Sequence, residues 1–116
     1  VFELRTYPPA PNRLKNLHAR FRDHTCKIFK NHGMINVAYW TPMDDSRGRS
    51  NTLIYIISHY VKPALSGTAQ AKKNWRGFAG DPAWKKARAA SEKDGKILAK
   101  APHKVFLNPV DYSPIK

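Results

Sequence analysis

Cysteine occurs once in this chain, at Cys26, which excludes an internal disulfide and the small secreted scaffolds that depend on several. One thiol fits a reducing compartment, and the expected location is cytoplasmic. A mitochondrion or other organelle is the alternative, reached after removal of a leader. Acidic residues are scarce: 8 Asp and Glu stand against 21 Lys and Arg, a formal net charge of +13. That balance favours an anionic partner over a cationic one. The charges are nevertheless scattered and form no dense basic arm, so a solvated basic surface accounts for most of them. No apolar run approaches the ~20 residues of a membrane-spanning helix. No signal or transit sequence is visible, because the chain opens directly on the strand-like Phe2-Glu3-Leu4-Arg5-Thr6-Tyr7, and Val1 points to removal of an initiator Met or a longer leader. Cys-x-x-Cys, His-Glu-x-x-His, a nucleophile elbow, an RNP-like sequence and solenoid-period repeats are all missing.

What is there is a 116-residue chain with 41% apolar residues, expected to form one domain over positions 1–116. Its organising stretch is Asn51–Tyr60, rich in β-branched and aromatic residues. With period two, Leu53, Tyr55, Ile57 and His59 point one way, and Ile54, Ile56, Ser58 and Tyr60 the other. Both rows are largely apolar, so this strand is expected to be buried on both faces. Which row meets the chain's own helices is left open by the pattern.

The remaining elements follow in order. Phe2–Tyr7 is a strand with Phe2, Leu4 and Thr6 on one face and Glu3, Arg5 and Tyr7 on the other, ended by Pro8, Pro9 and Pro11. Asn12 is the expected N-cap of a helix of about twenty residues, stopped by Gly33. At ~100° per residue, Leu14, Leu17, Phe21, Thr25, Ile28 and His32 form its inward stripe, while Arg13, Asn16, Arg20, Asp23, Lys27 and Lys30 point outward. Met34–Pro42 is a second strand, in which Ile35, Val37, Tyr39 and Thr41 alternate with Asn36, Ala38 and Trp40. A hairpin loop over 43–50 leads to the central strand, and a turn over 63–67 leads to a helix from Thr68 to Gly80. Its inner side carries Thr68, Ala71, Trp75 and Phe78. Asp81-Pro82 restarts a helix that runs to Gly95, with Trp84, Ala87, Arg88 and Ser91 inward and an Arg88–Glu92 pair at i, i+4. Lys104–Asn108 is the last strand, with Val105 and Leu107 opposite Phe106.

The order β-α-β-β-α(α)-β, with helices segregated to one face, predicts an α+β, ferredoxin-like plan with a four-stranded antiparallel sheet. The second sheet face remains apolar. Pairing two subunits through those faces buries it, which is the dimeric α/β barrel.

Several stretches then carry a family likeness. Phe2–Tyr7, Tyr39-Trp40-Thr41, Asn51-Thr52-Leu53, Asp81-Pro82-Ala83-Trp84 with Arg88, Ser91-Glu92-Lys93-Asp94-Gly95 and Tyr112-Ser113-Pro114-Ile115-Lys116 resemble the NIPSNAP family, in order and over nearly the whole chain. The pattern is most similar to the small single-domain bacterial members; the longer mitochondrial members carry extra sequence. The resemblance implies a dimeric α/β-barrel fold. It implies no reaction, because no general catalytic set is established for the family, although similarly folded relatives include cofactor-free monooxygenases, haem-degrading enzymes and EthD-like proteins.

Candidate chemistry is sparse. His18 and His24 diverge by ~120° on one helix and cannot share a metal ion from that helix alone, so no metal or cofactor is expected. Cys26 has no activating neighbour in sequence. A ligand pocket between sheet and helices would draw on His18, His24, Tyr39, Tyr55, His59, Trp75, Trp84 and Arg88, with aromatic walls and a few polar groups. Arg5 is a further group able to hold an anion, or else a partner in an ion pair near Glu3. The bland alternative is that the aromatics simply pack the core. Three functions compete: a homodimer binding a small organic molecule, for which an anion is one option; a cofactor-independent monooxygenase- or isomerase-like enzyme using His24 or His59 as base; and a basic module for an anionic partner. Nucleic acid is not expected, because the sheet aromatics would be consumed by the dimer.

Overall fold

The computed structural model describes residues 1–10, 12–44, 52–60, 67–98 and 101–115. Strands β1 (Phe2–Tyr7), β2 (Met34–Trp40), β3 (Leu53–His59) and β4 (His103–Leu107) form one antiparallel sheet in the order β2-β3-β1-β4. The crossover that places β1 beside β3 is the ferredoxin-like α+β plan. Between β1 and β2 run α1 (Leu14–Arg20), a π-helical turn (Phe21–Thr25) and α2 (Cys26–Asn31); between β3 and β4 lie α3 (Gly67–Gly80) and α4 (Pro82–Ser91). Of the expected loop over 43–50 and turn over 63–67, positions 45–50 and 63–66 fall outside the described residues.

The helices cover one sheet face, and β3 shows which. Leu53, Tyr55, Ile57 and His59 are all buried, whereas Ile54, Ile56 and Ser58 are half-buried. Phe21 and Phe29 pack their rings against Tyr55, and Leu17, Ile28, Met34, Phe78 and Ile97 complete the core. On β1 the face beneath the helices is the polar one, Glu3, Arg5 and Tyr7, because Glu3 pairs with Ile57 and Tyr7 with Leu53. The outer face presents Phe2, Leu4, Ile54, Ile56, Val105 and Leu107, with Val105 and Leu107 among the exposed large hydrophobics.

Several boundaries and faces depart from the sequence pattern. Asn12 does not cap the first helix: it adopts φ 63°, the cap position is Arg13, and no side chain accepts a hydrogen bond there. The helix is not uniformly α, since the π turn interrupts it at Phe21–Thr25. The predicted alternation of β2 breaks at a bulge between Asn36 and Ala38. Ile35 and Tyr39 therefore lie on opposite faces, Ile35 outward and 53% exposed, Tyr39 inward and stacked on Tyr55. The last helix stops at Ser91 and not Gly95; Arg13 donates to the carbonyls of Ser91 and Gly95, taking up acceptors that a helix end leaves open. Asp81 does cap α4, accepting from the Ala83 N–H at 2.8 Å, with Pro82 in the first turn, and Arg88 does pair with Glu92 at 2.8 Å.

Candidate functional site

Beneath α3 the sheet carries a chain of buried polar groups. Glu3 Oε1 accepts from His59 Nε2 at 2.8 Å and from Trp75 Nε1 at 2.9 Å, and Glu3 Oε2 accepts from Arg5 Nη1 at 2.8 Å. His59 Nδ1 accepts from the Asn74 amide at 3.1 Å, and Asn74 Oδ1 accepts from Gln70 at 2.8 Å. The donor at Nδ1 places the imidazole proton on Nε2, so His59 gives it to an ionised Glu3. Burial pushes the Glu3 carboxyl up, but the hydrogen bonds from His59, Trp75 and Arg5 together with the Arg5 charge outweigh it, leaving a pKa of about 2. The Arg5 guanidinium lies over the Trp75 ring at 4.2 Å and reaches the Tyr7 hydroxyl at 3.4 Å, and Tyr7 and Tyr55 join hydroxyls at 2.9 Å.

The far end of that chain, at Tyr7, meets a cavity of about 470 Å³ between the helices and the segment after α4. Phe21, Phe29, Phe78 and Trp84 wall it, and Arg20 and Thr25 come from the helix at its side. Arg20 is 5% exposed, its guanidinium lies 5.0 Å from the centre of the Trp84 ring, and its bond to Ser91 Oγ is long at 3.4 Å. Its Nε has no hydrogen-bond partner among the described residues, and neither has the Thr25 hydroxyl, which is 2% exposed. Burial lowers the pKa of Arg20 from its ordinary value, partly offset by Glu92 and Tyr7; it remains a cation, as arginine does in proteins. The π turn explains how these two residues converge. At 3.6 residues per turn, positions 20 and 25 would lie ~140° apart; the wider i→i+5 winding brings them toward one side.

A profile of the NIPSNAP family matches residues 2–114. The chain belongs to the NIPSNAP family. The solved structures it is similar to include a NIPSNAP family protein of Agrobacterium tumefaciens, at TM-score 0.75 and 16% identity, covering 99% of this chain and 97% of that one. A second Agrobacterium tumefaciens protein, a NIPSNAP family protein with unknown function, superposes at TM-score 0.72 and 19% identity over 99% of this chain and 92% of the other. An uncharacterized NIPSNAP domain protein of Burkholderia xenovorans does so at TM-score 0.72 and 18% identity over 97% of each chain. At these identities the likeness is one of fold. No curated protein matches the chain in sequence.

Within this NIPSNAP fold the candidate residues are dispersed. Trp84 and Arg88 line the cavity, Arg88 at its rim with a side chain 62% exposed. Tyr55 and His59 do face the helices, yet both are sealed in the core and neither lines the cavity. Trp75 packs between Arg5 and Phe29. His18 and Tyr39 border a second hollow of about 410 Å³ with Cys26, Trp40 and Leu53, and the Tyr39 hydroxyl bonds Asn36. Exposed His24 borders a third hollow beside Asp23 and Ala87. Arg20 was expected to point to solvent with Lys27 and Lys30, but α4 packs against that side of the helix and buries it. Its only sequence signal was the helical interval to Phe21 and Thr25, which an ideal α-helix misassigns. Among the described residues no three His, Cys, Asp or Glu side chains converge to hold a metal ion, and no helix is long and apolar enough to cross a membrane.

Proposed function

We propose that this NIPSNAP protein is a homodimer that binds a small organic molecule in the cavity between its helices and sheet. The observation that carries the reading is the pairing of an aromatic wall with a buried cation, Arg20, whose Nε has no partner among the described residues. A burial this costly is ordinarily offset by a partner, and a ligand can supply one. The volume suits a compact organic compound, and rings stack well on Trp84 and Phe78, whose centroids lie 4.5 Å apart. Trp84 and Arg88 are the ligand-binding residues this reading keeps from the sequence pattern, and Arg20 joins them.

Dimerisation is supported by the outer sheet face, an apolar surface that one copy of the chain leaves partly in solvent. The experiment for the cavity is calorimetric titration of the dimer with a panel of one- and two-ring aryl compounds, repeated on Ala101→Trp. Ala101 is exposed and borders the cavity, so an indole there is expected to crowd the opening. Saturable binding that Ala101→Trp abolishes supports the site. Binding that the variant leaves intact places the ligand elsewhere.

A further inference from the structure

The buried polar groups that line the cavity, Arg20, Tyr7 and Thr25, can all donate hydrogen bonds. Arg20 offers N–H donors and no acceptor. The Tyr7 and Tyr55 hydroxyls exchange one hydrogen bond at 2.9 Å, and the Arg5 guanidinium also donates to Tyr7 at 3.4 Å. Two hydroxyls joined by one bond leave one proton over. Tyr55 is fully buried and lines no cavity, whereas Tyr7 borders one; with Tyr55 donating to Tyr7, the proton left over is that of Tyr7. Tyr7 then accepts twice, from Arg5 and Tyr55, and is left as a donor. Arg5 is itself fixed by Glu3, which is held in turn by His59 and Trp75. The Thr25 hydroxyl, 2% exposed and without a partner among the described residues, can donate as well.

We propose that the cavity selects an aryl carboxylate, whose oxygens meet Arg20, Tyr7 and Thr25 while its ring lies against Trp84 and Phe78. This rests on the reading of the cavity as a ligand site and names its ligand class. A carboxylate brings a negative charge and acceptors alone, matching Arg20 and the hydroxyl donors; an ammonium is repelled by Arg20, and an amide offers these donors only a neutral carbonyl oxygen, whose hydrogen bonds are weaker. Glu92 also borders the cavity and acts on Arg20 through its charge, but its own charge is paired with Arg88 at 2.8 Å. The buried polar chain thereby acquires a purpose. It sets the direction of the Tyr7 proton from a distance, so that Glu3, Arg5 and Tyr55 position a group that touches the ligand without touching it themselves.

The test titrates 2-naphthoate, 2-naphthamide and 2-naphthylmethylammonium into the wild-type protein, Arg20→Met, Tyr7→Phe and Thr25→Val, each checked for folding by circular dichroism. The wild type is expected to prefer the carboxylate. Arg20→Met and Tyr7→Phe should each weaken carboxylate binding by about tenfold or more, because each removes a hydrogen bond to a charged group, and weaken the amide less, because its neutral oxygen loses a weaker bond. Tyr55→Phe, which cannot reach the ligand, should weaken the carboxylate by less than Tyr7→Phe. If Arg20→Met fails to fold, Tyr7→Phe and Thr25→Val decide the matter, since both keep the shape of the residue they replace. Equal affinity for carboxylate and amide, unchanged in Tyr7→Phe and Thr25→Val, overturns the carboxylate assignment while leaving the cavity as a ligand site. No binding of any of the three compounds to the wild type overturns both.

Discussion

His59 Nε2 lies 2.8 Å from Glu3 Oε1, and neither side chain exposes any surface. A carboxylate so placed is stable only while its donors remain, and those donors come from β1, β3 and α3. The pair joins β3 to β1, and the Trp75 and Asn74 side chains of α3 tie the helix layer to it through hydrogen bonds as well as through packing.

Acid should undo that tie. The Glu3 carboxyl falls from 4.5 when unperturbed to about 2 in the fold. A group whose folded value is lowered contributes stability that is fully present above the unfolded value and is lost as pH falls through the folded one. Unfolding free energy, followed by urea titration, is therefore expected to drop between pH 4.5 and pH 2 by on the order of 3 kcal/mol from this group. In Trp75→Phe the carboxyl keeps fewer donors, so the loss should begin at higher pH.

Gly33 ends α2 with φ +74°, and a Cβ there would stand 3.4 Å from the Asn74 side-chain amide. Gly33→Ala is expected to cost about 1–2 kcal/mol, because an L side chain disfavours the left-handed region. Asn74 is the group that holds His59, so the substitution should also broaden the His59 ring resonances by NMR. An unchanged melting temperature would show that the backbone relaxes out of this conformation.

Phe29 is fully buried and meets the rings of Phe21, Tyr55, Trp75 and Phe78. Phe29→Ala should destabilise the fold by roughly 3–5 kcal/mol in equilibrium denaturation, the range for emptying a well-packed aromatic site. Phe29→Leu should lose markedly less.

Ile56 sits in the middle of the outer face, across from Leu4 and Ala38. In the proposed dimer Ile56→Glu places a charge in the joined sheets. Sedimentation at micromolar concentration is expected to give a dimer for the wild type and a monomer for the variant. A wild-type monomer would contradict the dimer outright.

Much of the fold was legible because it rests on short-range periodicity. The two rows of β3, the opposition of Phe106 to Val105 and Leu107, and the Asp81-Pro82 start of α4 each follow from a local rule. The bulge at Asn36–Ala38 and the π turn at Phe21–Thr25 each shift a register without announcing it in composition. Those two irregularities govern where Tyr39, Arg20 and Thr25 point, and so the candidate site was less legible than the fold around it. Gln70 and Asn74 were missed for a different reason. They are polar residues buried to satisfy one another and His59, and hydropathy assigns such residues to the surface.

The bulge in β2 has a consequence for how this strand tolerates change. It acts as a gear between two half-strands: Met34 and Asn36 keep one phase, Tyr39 and Trp40 the other, and the extra residue meshes them. Substituting Val37 alters one side chain. Deleting it would restore one-to-one pairing with β3 and leave Met34, Asn36 and Tyr39 on the inner face, so the strand would lose its kink and keep its core. At this point the strand carries a spare residue, and it tolerates the loss of one more readily than the gain of another.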